Sequence, residues 1–356
     1  MPNKSKRLLQ NLAVSTVAIL LCCLAIELAL RLIRPVQTFV NPLTSFHRFD
    51  PELGWLGSPN LTARFRKPEF EVLVRHNADG FRAKESAARP DPGSPVVAVL
   101  GDSFTWGWGV DNGKVFTDVM QNELGAAADV RNLGVNAYGT LQELLLLERS
   151  LTNGLRPQVV IVMLVRNDFY DNISAEDRKP WLAVTGTNAT VRNLPVLKRG
   201  ISPLNKFVKA SHFLSAIAYM ADFAREKRRV NDLEQATFKV EAIAEEPRRA
   251  MSFCLERLKA RCASAGSRLR IVYAPGGTDF RSESTLAVQT AVKALCAETG
   301  VPLLDLSDDF RQAGHAADDL FFLHDRHWKV PGHDLVGKRL AAVLKEELSS
   351  ASQAKP

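Results

Sequence analysis

The sequence has little to offer metal or disulfide chemistry. It holds five cysteines in 356 residues. Cys22 and Cys23 sit inside an apolar run, and Cys254, Cys262 and Cys296 have no metal-ligand spacing. A Cys254–Cys296 or Cys262–Cys296 disulfide stays open, with one cysteine left over. There is no internal repeat, which excludes solenoids and propellers. There is no array of basic residues interleaved with aromatics, which excludes the usual nucleic-acid footprint despite a net charge of +7. The scattered positive charge suits an anionic membrane surface or envelope glycan instead. The G-x-S-x-G pentapeptide of α/β-hydrolases is also missing.

One long hydrophobic run is present. From Leu12 to Leu30 there are 19 residues with a single charge, Glu27. At about 1.5 Å per residue this nearly matches the ~30 Å hydrocarbon core of a bilayer. Lys4, Lys6 and Arg7 precede it; Arg31, Arg34 and Pro35 come after. The run exceeds the usual apolar region of a cleaved signal peptide, and no clear small-x-small site lies beyond it. Residues 1–35 are therefore expected to be a cytoplasmic tail and an uncleaved signal anchor, with the remainder extracytoplasmic. Glu27 lies four residues before Arg31 and is expected to pair with it.

Residues 36–94 read as a leading, loop-rich segment, with one or two strands in "FEVLVRH". From Pro95 the rhythm changes. "VVAVL" and "QVVIVMLV" are short continuous apolar runs, and with the further strands "DVRNLGV", "RLRIVYA" and "PLLDL" they alternate with amphipathic stretches. Runs of this kind are strands covered on both faces. Strand–helix alternation predicts an α/β, three-layer sandwich with a mostly parallel sheet over 95–350. An insertion or lid interrupts it at about 171–246, with a hairpin and then a basic helical stretch. The active site of such a sheet lies at the carboxyl ends of its strands.

Four stretches fall at those ends: "GDS" (101–103), "NLGVNAYGT" (132–140), "VRND" (165–168) and "HDRHW" (324–328). Singly each is weak, and in this order they are hard to obtain by chance. Together they resemble the SGNH/GDSL hydrolase superfamily, in particular its membrane-anchored bacterial envelope branch. "ELGW" and "NADGFR" are similar to the leading segment of that branch. The resemblance implies a flavodoxin-like fold with Ser103 as nucleophile. It implies an oxyanion hole from the N–H groups of Ser103 and Ala137 and the amide of Asn167. Ala137 stands at the position of the family's glycine, and Arg166 where many relatives have glycine. The common Asp-x-x-His spacing would put His324 in the acid's place. The shorter D-x-H-W form resembles envelope proteins that acetylate exported polysaccharides. It implies Asp325 and His327 as acid and base, ahead of Asp318, Asp319 or His324.

The chemistry explains these residue types. A serine hydroxyl is a poor nucleophile at neutral pH and needs a base within hydrogen-bond reach. The base returns its proton to the leaving group, and the acid fixes the imidazole tautomer. No metal or cofactor is required. The resemblance implies a membrane-anchored serine esterase or acyl hydrolase, acting on an acylated glycan, a lipid or a small ester. An O-acyltransferase served by an envelope acyl-donor protein, and a non-catalytic envelope-binding protein, are the alternatives. Asp102 is expected to cap the turn after its strand, and His333 to pack or cap at the last helix. Trp106, Trp108 and Trp328 line a pocket or belong to the core; the sequence leaves both open.

Overall fold

A computed structural model describes residues 4–186, 188–198, 203–234, 243–280 and 285–353. Helix α1 spans Lys4–Ile33. Among the described residues it is the one helix long and apolar enough to cross a membrane. It touches the rest of the chain along a single stripe. Cys23, Glu27 and Leu30 are half-buried, and its other residues from Lys6 onward are exposed. Their i, i+4, i+7 spacing puts them on one face. The expected Glu27–Arg31 pair forms, at 2.7 Å.

The leading segment holds more strand than its sequence suggests. It contains β1 (Thr38–Phe39), α2 (Pro42–Ser45), β2 (His47–Asp50), β3 (Gly54–Gly57), β4 (Thr62–Lys67) and β5 (Phe70–Arg75). The strands are short, and β4 alternates exposed charge with buried Ala63 and Phe65. Such a strand carries its apolar signal at only two positions. β4 and β5 form an antiparallel hairpin with Lys67 opposite Phe70, and β1 runs parallel to β4. Phe46, Phe65, Val72 and Val74 pack around Trp106, so the segment shares a core with the α/β region.

The central sheet contains β6 (Val96–Leu100), β7 (Asp129–Asn132) and β8 (Val159–Leu164), then β11 (Arg268–Tyr273) and β12 (Leu303–Asp305). Between these come the insertion strands β9 (Trp181–Thr185) and β10 (Asn188–Arg192). The five strands are all parallel, in the spatial order β7-β6-β8-β11-β12. Numbered among themselves this is 2-1-3-4-5, the flavodoxin-like order. Alternate residues serve opposite faces. Ala98, Leu100, Val160, Val162, Ile271 and Tyr273 face one layer. Val97, Val99, Ile161, Met163 and Val272 face the other. Burial on both faces is why β6 and β8 read as unbroken apolar runs.

The helices, in chain order, begin with α3 (Ser103–Trp106), α4 (Phe116–Leu124), α5 (Thr140–Thr152) and α6 (Arg166–Asp171). The insertion carries α7 (Pro203–Ala210) and α8 (His212–Glu234). Then come α9 (Glu245–Ser264), α10 (Gly277–Phe280), α11 (Thr285–Thr299), α12 (Ser307–Gln312), α13 (Ala317–Leu320) and α14 (Val330–Gln353). Residues of α5, α9 and α11 cover the first face; those of α4 and α14 cover the second. This is the expected three-layer α/β/α sandwich. The expected hairpin forms between β9 and β10. Its central Thr187, and residues 199–202 and 235–242 of the insertion, lie outside the described residues. All five cysteines are free thiols, so neither disulfide forms.

Candidate active site

The switch point of a 2-1-3-4-5 sheet lies between its first and third strands. Here those are β6 and β8, which pair directly, Leu100 beside Val162. β6 is followed by Gly101, where a side chain would put a Cβ 2.1 Å from Thr105 Oγ1. Asp102 then caps α3, accepting the Phe104 N–H at 2.9 Å. The cap leaves Ser103 at the first position of α3. The loop over 132–140 presses against α3. A Cβ on Gly134 would lie 2.5 Å from the Trp106 backbone nitrogen.

The last loop closes over this turn. His327 Nε2 lies 2.7 Å from Ser103 Oγ. His327 Nδ1 lies 2.5 Å from Asp325 Oδ1. Arg326, between them, is held at φ +72°. Its N–H goes to the Phe322 carbonyl at 3.2 Å, and its carbonyl accepts the Gly277 N–H at 2.8 Å. The left-handed residue is what lets a D-x-H spacing bring acid and imidazole together. Ser103, Ala137, Asn167, Asp325 and His327 line one cavity of about 650 Å³. Ala137 itself has φ +59°, a conformation natural to glycine. The Asn167 amide nitrogen reaches Asp102 Oδ2 at 3.0 Å and Asp171 Oδ2 at 3.1 Å. Asp171 also holds the buried Lys179 ammonium, at 3.0 Å.

Burial pushes the Asp325 carboxyl up, but His327, Lys67 and Trp108 outweigh it and hold the group below the ordinary carboxylate range. Asp102 goes the other way: burial raises it, against the N–H groups of Asn167 and Phe104. Behind them lie Glu143 and Asp168, both fully buried. Burial first, and neighbouring carboxylates second, push both well above their usual values.

The three tryptophans separate. Trp108 lines the cavity, donates to Asp325 Oδ2 at 3.0 Å and stacks on His327 with centroids 5.1 Å apart. For the other two, of the pocket and core readings that the sequence left open, the core one applies. Trp106 is buried in the leading-segment core, donating to His76 Nε2 at 3.2 Å. Trp328 is fully buried and donates to the Pro275 carbonyl at 2.9 Å. Each indole N–H has found a buried acceptor, which fixes the ring in the core. His333 packs as expected, accepting the Phe116 N–H at 3.3 Å. Asp318, Asp319 and His324 are not among the residues lining the cavity, whereas Arg166 is. A larger cleft, about 810 Å³, runs along edge strand β7 and touches none of Ser103, Asn167, Asp325 or His327. Within it Lys84 pairs with Asp129 and Arg149 with Asp50.

Two contributors come from outside the four motifs. The Glu69 carboxylate, at the β4–β5 turn, accepts the N–H groups of Leu323 (2.7 Å), His324 (3.1 Å) and Asp325 (2.7 Å). Lys67 lies over the Trp108 ring at 5.3 Å while bonding Glu226 of α8 at 2.6 Å. Neither carries a sequence signal, because the partners of Glu69 are backbone groups more than 250 residues away.

A family model for GDSL-like lipases and acylhydrolases matches residues 99–335. Similar solved structures include a lipolytic G-D-S-L family protein from Veillonella parvula DSM 2008. It is 13% identical with TM-score 0.39, over 71% of this chain and 99% of that one. An inhibitor-bound aryl esterase from M. smegmatis is 16% identical with TM-score 0.38, over 71% and 99%. A carbohydrate acetylesterase from Sinorhizobium meliloti is 14% identical with TM-score 0.38, over 71% and 99%. No curated protein sequence matches the chain.

Proposed function

Since the chain belongs to the GDSL-like lipase/acylhydrolase family, a class of ester-hydrolysing enzymes, we propose that Ser103 is its nucleophile, His327 its general base and Asp325 the residue that orients that base. The observation that carries this reading is the continuous chain Ser103 Oγ–His327 Nε2–Asp325, at 2.7 and 2.5 Å.

Ser103 Oγ attacks the ester carbonyl while His327 Nε2 takes its proton. Asp325 stabilises the imidazolium. The carbonyl oxygen becomes an oxyanion beside the N–H groups of Ser103 and Ala137 and the Asn167 amide. Each donor of this kind is worth roughly 3 kcal/mol in the transition state. Asn167 turns an N–H from a neighbouring carboxylate toward the oxyanion. Collapse breaks the ester C–O bond, and His327 protonates the leaving alkoxide. Water, deprotonated by His327, then releases the acid and restores Ser103.

The substrate is an acylated envelope glycan, a lipid or a small ester, and the enzyme is held at the membrane by α1 with its catalytic domain on the extracytoplasmic side. Retention of α1 is supported by its Glu27, whose contacts a cleaved chain would lose. Ser103→Ala should lower p-nitrophenyl acetate hydrolysis by at least about 1,000-fold. A phosphonate should label Ser103 in the wild-type protein. A folded Ser103→Ala protein with full esterase activity would overturn the assignment. Labelled acyl donor recovered on a glycan, rather than as free acid, would identify a transferase.

A further inference from the structure

The α7–α8 corner is bound to α1 at a defined level. Glu27 accepts the N–H groups of His212 (3.0 Å) and Phe213 (2.8 Å) and the Ser211 hydroxyl (2.7 Å). It thereby serves as acceptor for the start of α8, whose first N–H groups have no partner within the helix. Arg31 caps the end of α7 through the Ala210 carbonyl at 2.9 Å. Gln37 reaches the Lys209 carbonyl at 3.0 Å, and the His212 ring lies 3.1 Å from the Pro35 carbonyl. The half-buried stripe of α1 continues down to Cys23. Cys23 lies seven residues before the end of the Leu12–Leu30 apolar run, or about 10 Å along the helix axis. The corner therefore sits beside a part of α1 that is itself apolar enough for the bilayer.

The corner is also apolar on its outside. Outside α1 the described residues include nine exposed large hydrophobic side chains, and four of them are here: Leu204, Phe207, Ile217 and Met220. Leu204 and Phe207 are two-thirds exposed. They are three residues apart on α7, and Ile217 and Met220 repeat that spacing on α8, so each pair shares a helix face. Lys206 is exposed between the α7 pair.

We propose that the α7–α8 corner is a membrane-interface element, with Leu204, Phe207, Ile217 and Met220 inserted at the headgroup–acyl boundary of a phospholipid bilayer beside α1. Helices of this kind bury an apolar face about 5–10 Å into that boundary. Lys206 then meets headgroup phosphates. The partner is a lipid surface because the corner is fixed to the helix that crosses it. The inference rests on the reading of α1 as a membrane span.

The test uses the full chain in phosphatidylcholine vesicles brominated at acyl carbons 6 and 7. Tryptophan is placed at Phe207→Trp, at Met220→Trp and, as a marker of the span, at Leu20→Trp. The wild-type fluorescence is subtracted from each. All three increments should be lower than in unbrominated vesicles. Quenching of Leu20→Trp alone, with the corner increments unchanged, would overturn the proposal and leave the anchor standing. No quenching at any position would overturn the anchor reading and the proposal with it.

Discussion

Glu69→Ala removes the acceptor of three consecutive backbone N–H groups without altering any catalytic side chain. Hydrogen bonds to a charged acceptor contribute about 1.5–3 kcal/mol each. Glu69 is only partly buried, so water replaces part of what is lost, and a net cost of about 2–3 kcal/mol is expected. The larger effect is on rate. The three N–H groups belong to residues 323–325, so their release frees Asp325 and, two residues on, His327. A displacement near 1 Å in a catalytic group can cost about 100-fold. We expect kcat on p-nitrophenyl acetate to fall by about 10- to 100-fold with KM little changed. Glu69→Gln keeps one acceptor oxygen and should fall between the two. The assay is steady-state kinetics beside urea denaturation of the same samples. A Glu69→Ala protein with wild-type kcat, whatever its stability, would defeat this account, because the loop would then hold its shape unaided.

Trp108→Phe keeps a ring against His327 but removes the donor to Asp325; kcat should fall about tenfold, as for one charged hydrogen bond of about 1.5 kcal/mol, and further in Trp108→Ala. Ala137→Gly should keep activity and stability, whereas Ala137→Val puts a β-branched residue at φ +59° and should cost about 1–2 kcal/mol in a denaturation midpoint. Glu143 titrates higher in the folded chain than unfolded, so its contribution is full below the unfolded value and is lost as pH rises through the folded one. Burial is the first cause and the nearby Asp102 and Asp171 carboxylates the second. Glu143→Gln should therefore exceed the wild type in urea midpoint at pH 8 and lose that advantage by pH 5; equal differences at both pH values would count against the buried-carboxyl account.

The sheet was legible because its central strands β6 and β8 are buried on both faces and so write continuous apolar runs. In the leading segment β5 was legible from the alternation of "FEVLVRH", whereas β4 is half charge and β1 is two residues long. Ser103, Asn167, Asp325 and His327 were legible as polar residues where apolar runs stop or a final helix begins. Trp106 and Trp108 look equivalent in sequence, yet Gly107 between them takes φ +88° and sends one indole into the core and the other to the cavity. Glu69 was invisible for a different reason. A carboxylate that serves backbone amides leaves no trace in the identity of the residues it serves.

The family match begins at residue 99, thirty residues after Glu69. A graft of residues 99–335 onto another leader would transplant every motif side chain and leave behind the carboxylate that seats the loop carrying Asp325 and His327. For anyone recombining such enzymes, the portable unit is longer than the recognisable one. A donor fragment of this chain should be cut ahead of the β4–β5 hairpin, and a chimera cut after it should be rescued by restoring one acid at that turn.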